Sequence, residues 1–244
     1  MSSLSRQSLL ALIILERFTT GEQDRVSIRN NIPTFDGFFK FNEDLNKQIR
    51  NQLRYLWNEN LIMPTTNTKK LQKFQITKNG QQFLKRSVPI WKELISKNQQ
   101  ALLVMEEACQ GEFTTLIGFH TIEETKFLNK ILDQRTVSLS LIFIELKKKN
   151  TQLSTINIQK LLLLRYGLSI SETALTKYLV ELTQIDAVIV SPDEVGRKYA
   201  VFENQILAKE KLKSTMIEIE HAKQCLDSMH HFITSLTPKI KKYG

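Results

Sequence analysis

Residues 42–58 constrain the fold more than any other stretch. Asn42 is placed as a helix N-cap, and Glu43 and Asp44 follow in a first turn where acids oppose the positive end of the dipole. The helix is expected to run to about Asn58. Leu45, Ile49, Leu53 and Leu56 (with Trp57) recur at spacings of four, four and three, so they form one buried stripe. Asn46, Lys47, Arg50, Asn51 and Arg54 fall on another face, with no acid between them. One side of such a helix needs a core behind it, and the other meets solvent or a polar partner.

The flanking sequence supplies that core. Ser5 or Ser8 caps a helix through about Phe18, with Leu9, Leu10, Leu12, Ile13 and Ile14 on its apolar side. Thr19-Thr20-Gly21 stops it. Asp24–Ile32 reads as a short second helix with Val26, Ile28 and Ile32 inward, ended by Pro33. An aromatic loop, Phe35–Phe41, reads either as core or as a ligand pocket. After the helix over 43–58, a short apolar strand at Leu61–Met63 leads through Pro64–Lys70 into Leu71–Thr77. There Leu71, Lys73 and Gln75 alternate with Gln72, Phe74 and Ile76, the pattern of a β-hairpin whose tip carries Lys69, Lys70 and Lys73.

The stretch Ile49-Arg50-Asn51-Gln52-Leu53-Arg54-Tyr55-Leu56-Trp57-Asn58-Glu59-Asn60-Leu61-Ile62 resembles the recognition helix and turn of winged helix-turn-helix proteins. Phe74–Leu84 is similar to their strand-then-helix ending, with Thr77 as the cap of a last helix. Regulators of the PadR and MarR types share this pattern, as do winged domains attached to some restriction endonucleases. The resemblance covers about residues 4–86. It implies a groove-reading helix with Arg50 and Asn51 among its base-reading residues and a wing carrying Lys69, Lys70 and Lys73. Arg bonds guanine bidentately, Asn does the same to adenine, and Lys takes phosphate. A basic helix face that is only a solvated surface is the plainer alternative.

The remainder is expected to repeat the pattern. Pro89 is read as a break, followed by a helix from Trp91 to about Cys109 and another at 122–131, a helical linker over 89–132. Val137–Lys147, Ile156–Tyr166 (capped by Thr155, ended by Gly167) and a helix from Ser169 or Ser171 to about Gln184 precede strands at Val188–Val190 and Lys198–Phe202. The fold class is thus mainly α, with two winged helix domains over 1–88 and 133–206 and an amphipathic C-terminal helix over 207–244. The second domain differs chemically. Its outward face holds Thr173, Thr176, Lys177, Val180 and Glu181, and its wing sets Asp193 and Glu194 beside Arg197 and Lys198. Thr173, Thr176, Lys177, Arg197 and Lys198 make up a possible second DNA or protein surface. The C-terminal helix either dimerises or folds back on its own chain.

The charge follows the same division. Of the net +9, residues 1–88 carry +7, residues 89–132 carry −2, residues 133–206 carry +1 and residues 207–244 carry +3. The excess sits where a polyanion is expected to bind. Cys109 and Cys225 belong to no CxxC pair. His221, Cys225 and His230 lack a fourth ligand and read as packing residues rather than a metal site. Phosphate-loop, dinucleotide-loop and nucleophile-elbow motifs are missing, and Pro192-Asp193 has no following acid–Lys pair, so neither catalysis nor a cofactor is expected. Leu9–Leu15 is too short to span a membrane and lacks a cleavage-like tail. The expected partner is double-stranded DNA, in the cytoplasm or on a prokaryotic nucleoid, bound by a transcription regulator. A tandem winged-helix interaction scaffold is the alternative.

Overall fold

The computed structural model describes residues 5–39, 43–65, 72–112, 122–149, 152–193, 196–201 and 205–241. The chain is mainly helical, with two small antiparallel sheets, and forms two compact units. Unit 1 comprises residues 1–96 and 225–244, and unit 2 comprises residues 97–224.

Unit 1 opens with α1 (Arg6–Arg17), where Ser5 is the cap and Ser8 returns the bond to complete a capping box. Leu9 to Leu15 are all buried, so α1 is the central helix of its unit. A 3-10 turn (Phe18–Thr20) leads to β1 (Gln23–Asp24) and α2 (Arg25–Asn30). Then come α3 (Glu43–Asn58), β2 (Ile62–Pro64) and β3 (Lys73–Ile76). Both α1 and α2 pack on α3, and the sheet order is β1-β3-β2. Asn42 lies outside the described residues. Of the aromatic loop, Phe35 and Phe39 are core, and Phe35 meets Phe232 with ring centroids 5.6 Å apart; Lys40 and Phe41 lie outside the described residues.

The end of α3 is built on a left-handed residue. Asn60 has φ 55°, Asn60 N–H donates to Trp57 O, and Leu61 N–H donates to Leu56 O, which is a Schellman closure. Asn tolerates this conformation better than most side chains. The next helix, α4 (Lys78–Gln110), starts against the same turn. Thr77 N–H donates to Leu61 O at 3.1 Å, the Thr77 hydroxyl donates to Asn60 O at 2.6 Å, and that hydroxyl accepts from Gly80 N–H at 3.1 Å. A Cβ on residue 80 would sit 2.1 Å from Leu61 O.

Two expectations about α4 and its surroundings fail. Pro89 does not break the chain, because α4 runs through it for 33 residues. Proline forfeits one hydrogen bond and crowds the previous turn. Pro89 is on the exposed side between buried Val88 and Trp91, so its ring and the hydrogen bond it forfeits lie away from the core. Nor do residues 89–132 form a separate linker. Residues 89–96 of α4 belong to unit 1 and residues 97–110 to unit 2.

Unit 2 contains α5 (Ile122–Leu128), α6 (Gln134–Lys149), β4 (Leu153–Ser154), α7 (Thr155–Tyr166), α8 (Glu172–Gln184), β5 (Val188–Asp193) and β6 (Gly196–Val201), with sheet order β4-β6-β5. The cap of α7 is Ser154, not Thr155, and Gly167 ends it at φ 66°. Ser171 caps α8. The last helix, α9 (Gln205–Lys241), runs through Pro238 and covers most of the expected span 207–244. Its residues up to Gln224 belong to unit 2 and those from Cys225 onward to unit 1. Ile219, Ala222, Cys225, Leu226, Met229, Ile233 and Leu236 are buried within this one chain.

The two units share an order of elements and several equivalent positions, although α2 has 6 residues and α7 has 12. Leu10-Ala11-Leu12-Ile13-Ile14-Leu15-Glu16 in α1 matches Leu139-Ser140-Leu141-Ile142-Phe143-Ile144-Glu145 in α6. Asp24 caps α2 opposite Lys73, as Ser154 caps α7 opposite Lys198. Asp186 ends α8 at φ 52° with the same two closing bonds as Asn60, two residues before β5. That register pairs Ile49, Leu53 and Leu56 with Leu175, Leu179 and Leu182, all buried.

Because the Gly80 contact is with backbone, relief requires movement of the turn itself. Gly80→Ala is expected to lower unfolding stability by about 2–3 kcal/mol, read from urea midpoints at unchanged slope. A loss below about 0.5 kcal/mol contradicts this role for Gly80.

Candidate nucleic-acid interface

Burying Leu45, Ile49, Leu53 and Leu56 decides which side of α3 faces out. Each such side chain contributes about 1.5–3 kcal/mol, more than any surface charge offers in return. Lys47, Arg50, Asn51 and Arg54 are exposed, and Asn46 is half-buried at the edge of the same face. From Lys47 to Arg54 the helix has no acid.

The hairpin is fixed to this helix by aromatic contacts. Phe74 of β3 is buried, with its ring 6.5 Å from Phe18 and 6.4 Å from Trp57, both edge-on. Trp57, expected in the buried stripe, is 45% exposed and reaches across to the strand. Lys69 and Lys70 lie outside the described residues. Lys73 is exposed but does not sit at the hairpin tip. It begins β3, its carbonyl accepts from Thr65 N–H at 3.0 Å, and it is in register with Asp24 of β1.

Asp24 was read only as the start of a helix, and β1 was not expected. Its Oδ1 accepts from Val26 and Ser27 N–H at 2.7 and 2.9 Å, and Ser27 Oγ donates to Oδ2 at 3.1 Å. These bonds, the Ser27 amide above all, hold its carboxyl below the usual range, with Lys73 assisting. Part of the charge of Lys73 is thereby answered within the protein. An Asp two residues before a β-branched apolar residue marked the cap, but nothing local marked its cross-strand partner.

In unit 2, Thr173, Thr176, Lys177 and Arg197 are exposed and Lys198 is half-buried. The strands extend to Asp193 and Gly196, so Arg197 and Lys198 stand in β6 rather than in a wing loop. The repeat register places Thr173, Thr176, Lys177 and Val180 where unit 1 has Lys47, Arg50, Asn51 and Arg54. Glu181 is engaged by Arg135 at 3.0 Å and Lys211 at 3.1 Å.

Other chemistry is sparse. Among the described residues no group of three or more His, Cys, Asp and Glu is placed to hold a metal ion. Burial pushes the Cys109 thiol up to about 11, with Glu106 adding to it, and the Cys225 thiol up to about 12, with Asp36 adding to it. Neither is a ready nucleophile near neutral pH. Buried Glu145 accepts from Tyr166 Oη at 2.5 Å and lies 3.3 Å from Arg165. Burial and the Glu145 carboxylate hold the Tyr166 phenol protonated far above its ordinary range. Among the described residues no helix is long and apolar enough to cross a membrane. Comparison with protein-family models, curated proteins and solved structures gives no match to this chain.

Since the folded-state pKa of Asp24 is lowered, its contribution is present above the unfolded carboxylate pKa and is lost as pH falls through the folded value. Asp24→Ala is expected to cost about 1 kcal/mol at neutral pH, with the gap to the parent narrowing below about pH 4. Paired urea titrations from pH 7 to pH 3 read it. A gap that stays constant across that range assigns the loss to something other than the charged cap.

Proposed function

We propose that this protein is a sequence-specific double-stranded DNA-binding transcription regulator. In this reading unit 1 is a winged helix domain, α3 is its recognition helix and the β2–β3 hairpin is its wing. Unit 2 is a second winged helix on the same plan. The supporting observation is the acid-free exposed face of α3, where Lys47, Arg50, Asn51 and Arg54 stand on a helix whose opposite side is locked into the core. Arg50 and Asn51 present the two side-chain types that bond base edges bidentately, and Lys47 is suited to phosphate. Three helices followed by the β2–β3 hairpin and a further helix are the order the sequence resemblance implies, and β1, between α1 and α2, adds a third strand to that hairpin. The charge supports it as well, because +7 of the net +9 falls in residues 1–88.

A second reading, a protein-interaction scaffold, draws on unit 2. Its equivalent helix face replaces Lys47, Arg50 and Arg54 with Thr173, Thr176 and Val180. The two readings are compatible within one chain.

Binding is expected to weaken steeply between 50 and 200 mM salt as released counterions lose their advantage, by about 10³-fold or more if six phosphates are engaged. Arg50→Ala or Asn51→Ala is expected to reduce preference for a selected site over random duplex by about 1–3 kcal/mol. Lys47→Ala is expected to weaken all duplexes about equally. Fluorescence anisotropy on matched and scrambled duplexes separates these effects. Unchanged affinity and preference in Arg50→Ala contradicts the assignment of α3.

A further inference from the structure

The repeat that relates the two units exposes a place where they differ in shape. Alignment on the left-handed residues Asn60 and Asp186 pairs Trp57 with Thr183, and the strand registers pair Phe74 with Tyr199. In unit 1, Trp57 and Phe74 touch with ring centroids 6.4 Å apart, so the helix-to-hairpin gap contains an indole. In unit 2 the shorter Thr183 leaves that space open. A groove of about 170 Å³ lies between α8 and the β5–β6 hairpin, lined by Val180, Thr183, Gln184, Val190, Arg197 and Tyr199.

The chemistry of the groove is definite. Val180, Val190 and the Tyr199 ring supply apolar walls, and Val180 is 42% exposed. Arg197 is exposed on the groove, and Lys177 is exposed one turn earlier on α8. The acid on the adjoining turn of α8, Glu181, is paired with Arg135 and Lys211, and Asp193 stands at the end of the hairpin, one register position beyond the partner of Arg197. An apolar slot rimmed by cations takes a ring side chain with acids beside it.

We propose that this groove docks an aromatic side chain, a Trp flanked by acidic residues, from a protein partner. Unit 1 satisfies the same slot with its own Trp57, and unit 2 takes the ring from outside. The ring anchors on Tyr199 and the two valines, and the acids meet Arg197 and Lys177. Anchors of this kind, a buried aromatic with charged neighbours at the rim, dominate the energetics of many protein interfaces.

The test is an NMR titration of the full ¹⁵N-labelled chain with a heptapeptide carrying one Trp among Asp and Glu residues. Saturable shifts are expected at the amides of Val180, Thr183, Gln184 and Tyr199. Arg197→Glu is expected to weaken binding by about ten-fold or more, since it reverses a rim charge. Thr183→Trp supplies the ring in cis and is expected to abolish the shifts while leaving DNA binding unaltered. Because Arg197 is exposed, Arg197→Glu remains a valid reading if Thr183→Trp fails to fold. No shifts at millimolar peptide, or equal binding by Arg197→Glu, overturns the proposal. Stronger shifts of the same amides with duplex DNA overturn it in favour of a nucleic-acid surface. Concentration-dependent self-association lost in Thr183→Trp overturns it in favour of a second copy of this chain.

Discussion

The turn at Asn60 and Leu61 is the junction on which unit 1 depends. Three elements meet there: α3 closes on Asn60, β2 departs, and α4 begins with Thr77 and Gly80 pressed against the same two carbonyls. Each bond is individually worth about 1 kcal/mol. Their joint effect is geometric, because they set the direction of the hairpin relative to α3. The Phe18–Phe74–Trp57 ring contacts then hold the hairpin in that direction. Any surface that combines the exposed face of α3 with the hairpin inherits its precision from this junction.

Unit 2 keeps the scaffold and changes the surface. The left-handed residue after the third helix, the capped second helix paired with a lysine-bearing strand, and the buried carboxylate near the end of the first helix all recur. Glu16 is paired with Lys239 at 2.6 Å in unit 1, and Glu145 with Tyr166 and Arg165 in unit 2. A buried carboxylate without such partners would be strongly destabilising, so each copy retains its own solution. What changes is outward: cations and an amide on α3 give way to hydroxyls, one lysine and a valine on α8, and Trp57 gives way to Thr183. The interior positions match between the units while the exposed ones differ, so the two outward helix faces are chemically distinct.

Much of this was legible in the sequence. The four-residue recurrence of Leu45, Ile49 and Leu53 located α3 and its outward face, because helical burial is periodic. Gly167 marked the end of α7 because few other residues sit easily at φ 66°. The two-residue strands β1 and β4 carried no alternation to detect and are defined only by distant partners. Pro89 misled because local chemistry favours a break, whereas an exposed proline between buried Val88 and Trp91 is tolerated when packing holds both sides of the helix. The periodicity of α9 showed that a face is buried but not by what, so its division between the two units was invisible. At the candidate site, the positions on α3 were legible, while the pairing of Lys73 with Asp24 and the reach of Trp57 to Phe74 required the fold.

The central claim is that the outward face of α3 reads DNA sequence. The most direct measurement is selection from a random-duplex pool with the purified chain at about 0.15 M salt, near the ionic strength at which nonspecific binding is weak, followed by sequencing of the bound fraction. The account predicts an enriched motif that contains G·C or A·T contacts suited to Arg50 and Asn51 and that relaxes when those residues are replaced. A bound pool indistinguishable from the input would contradict it.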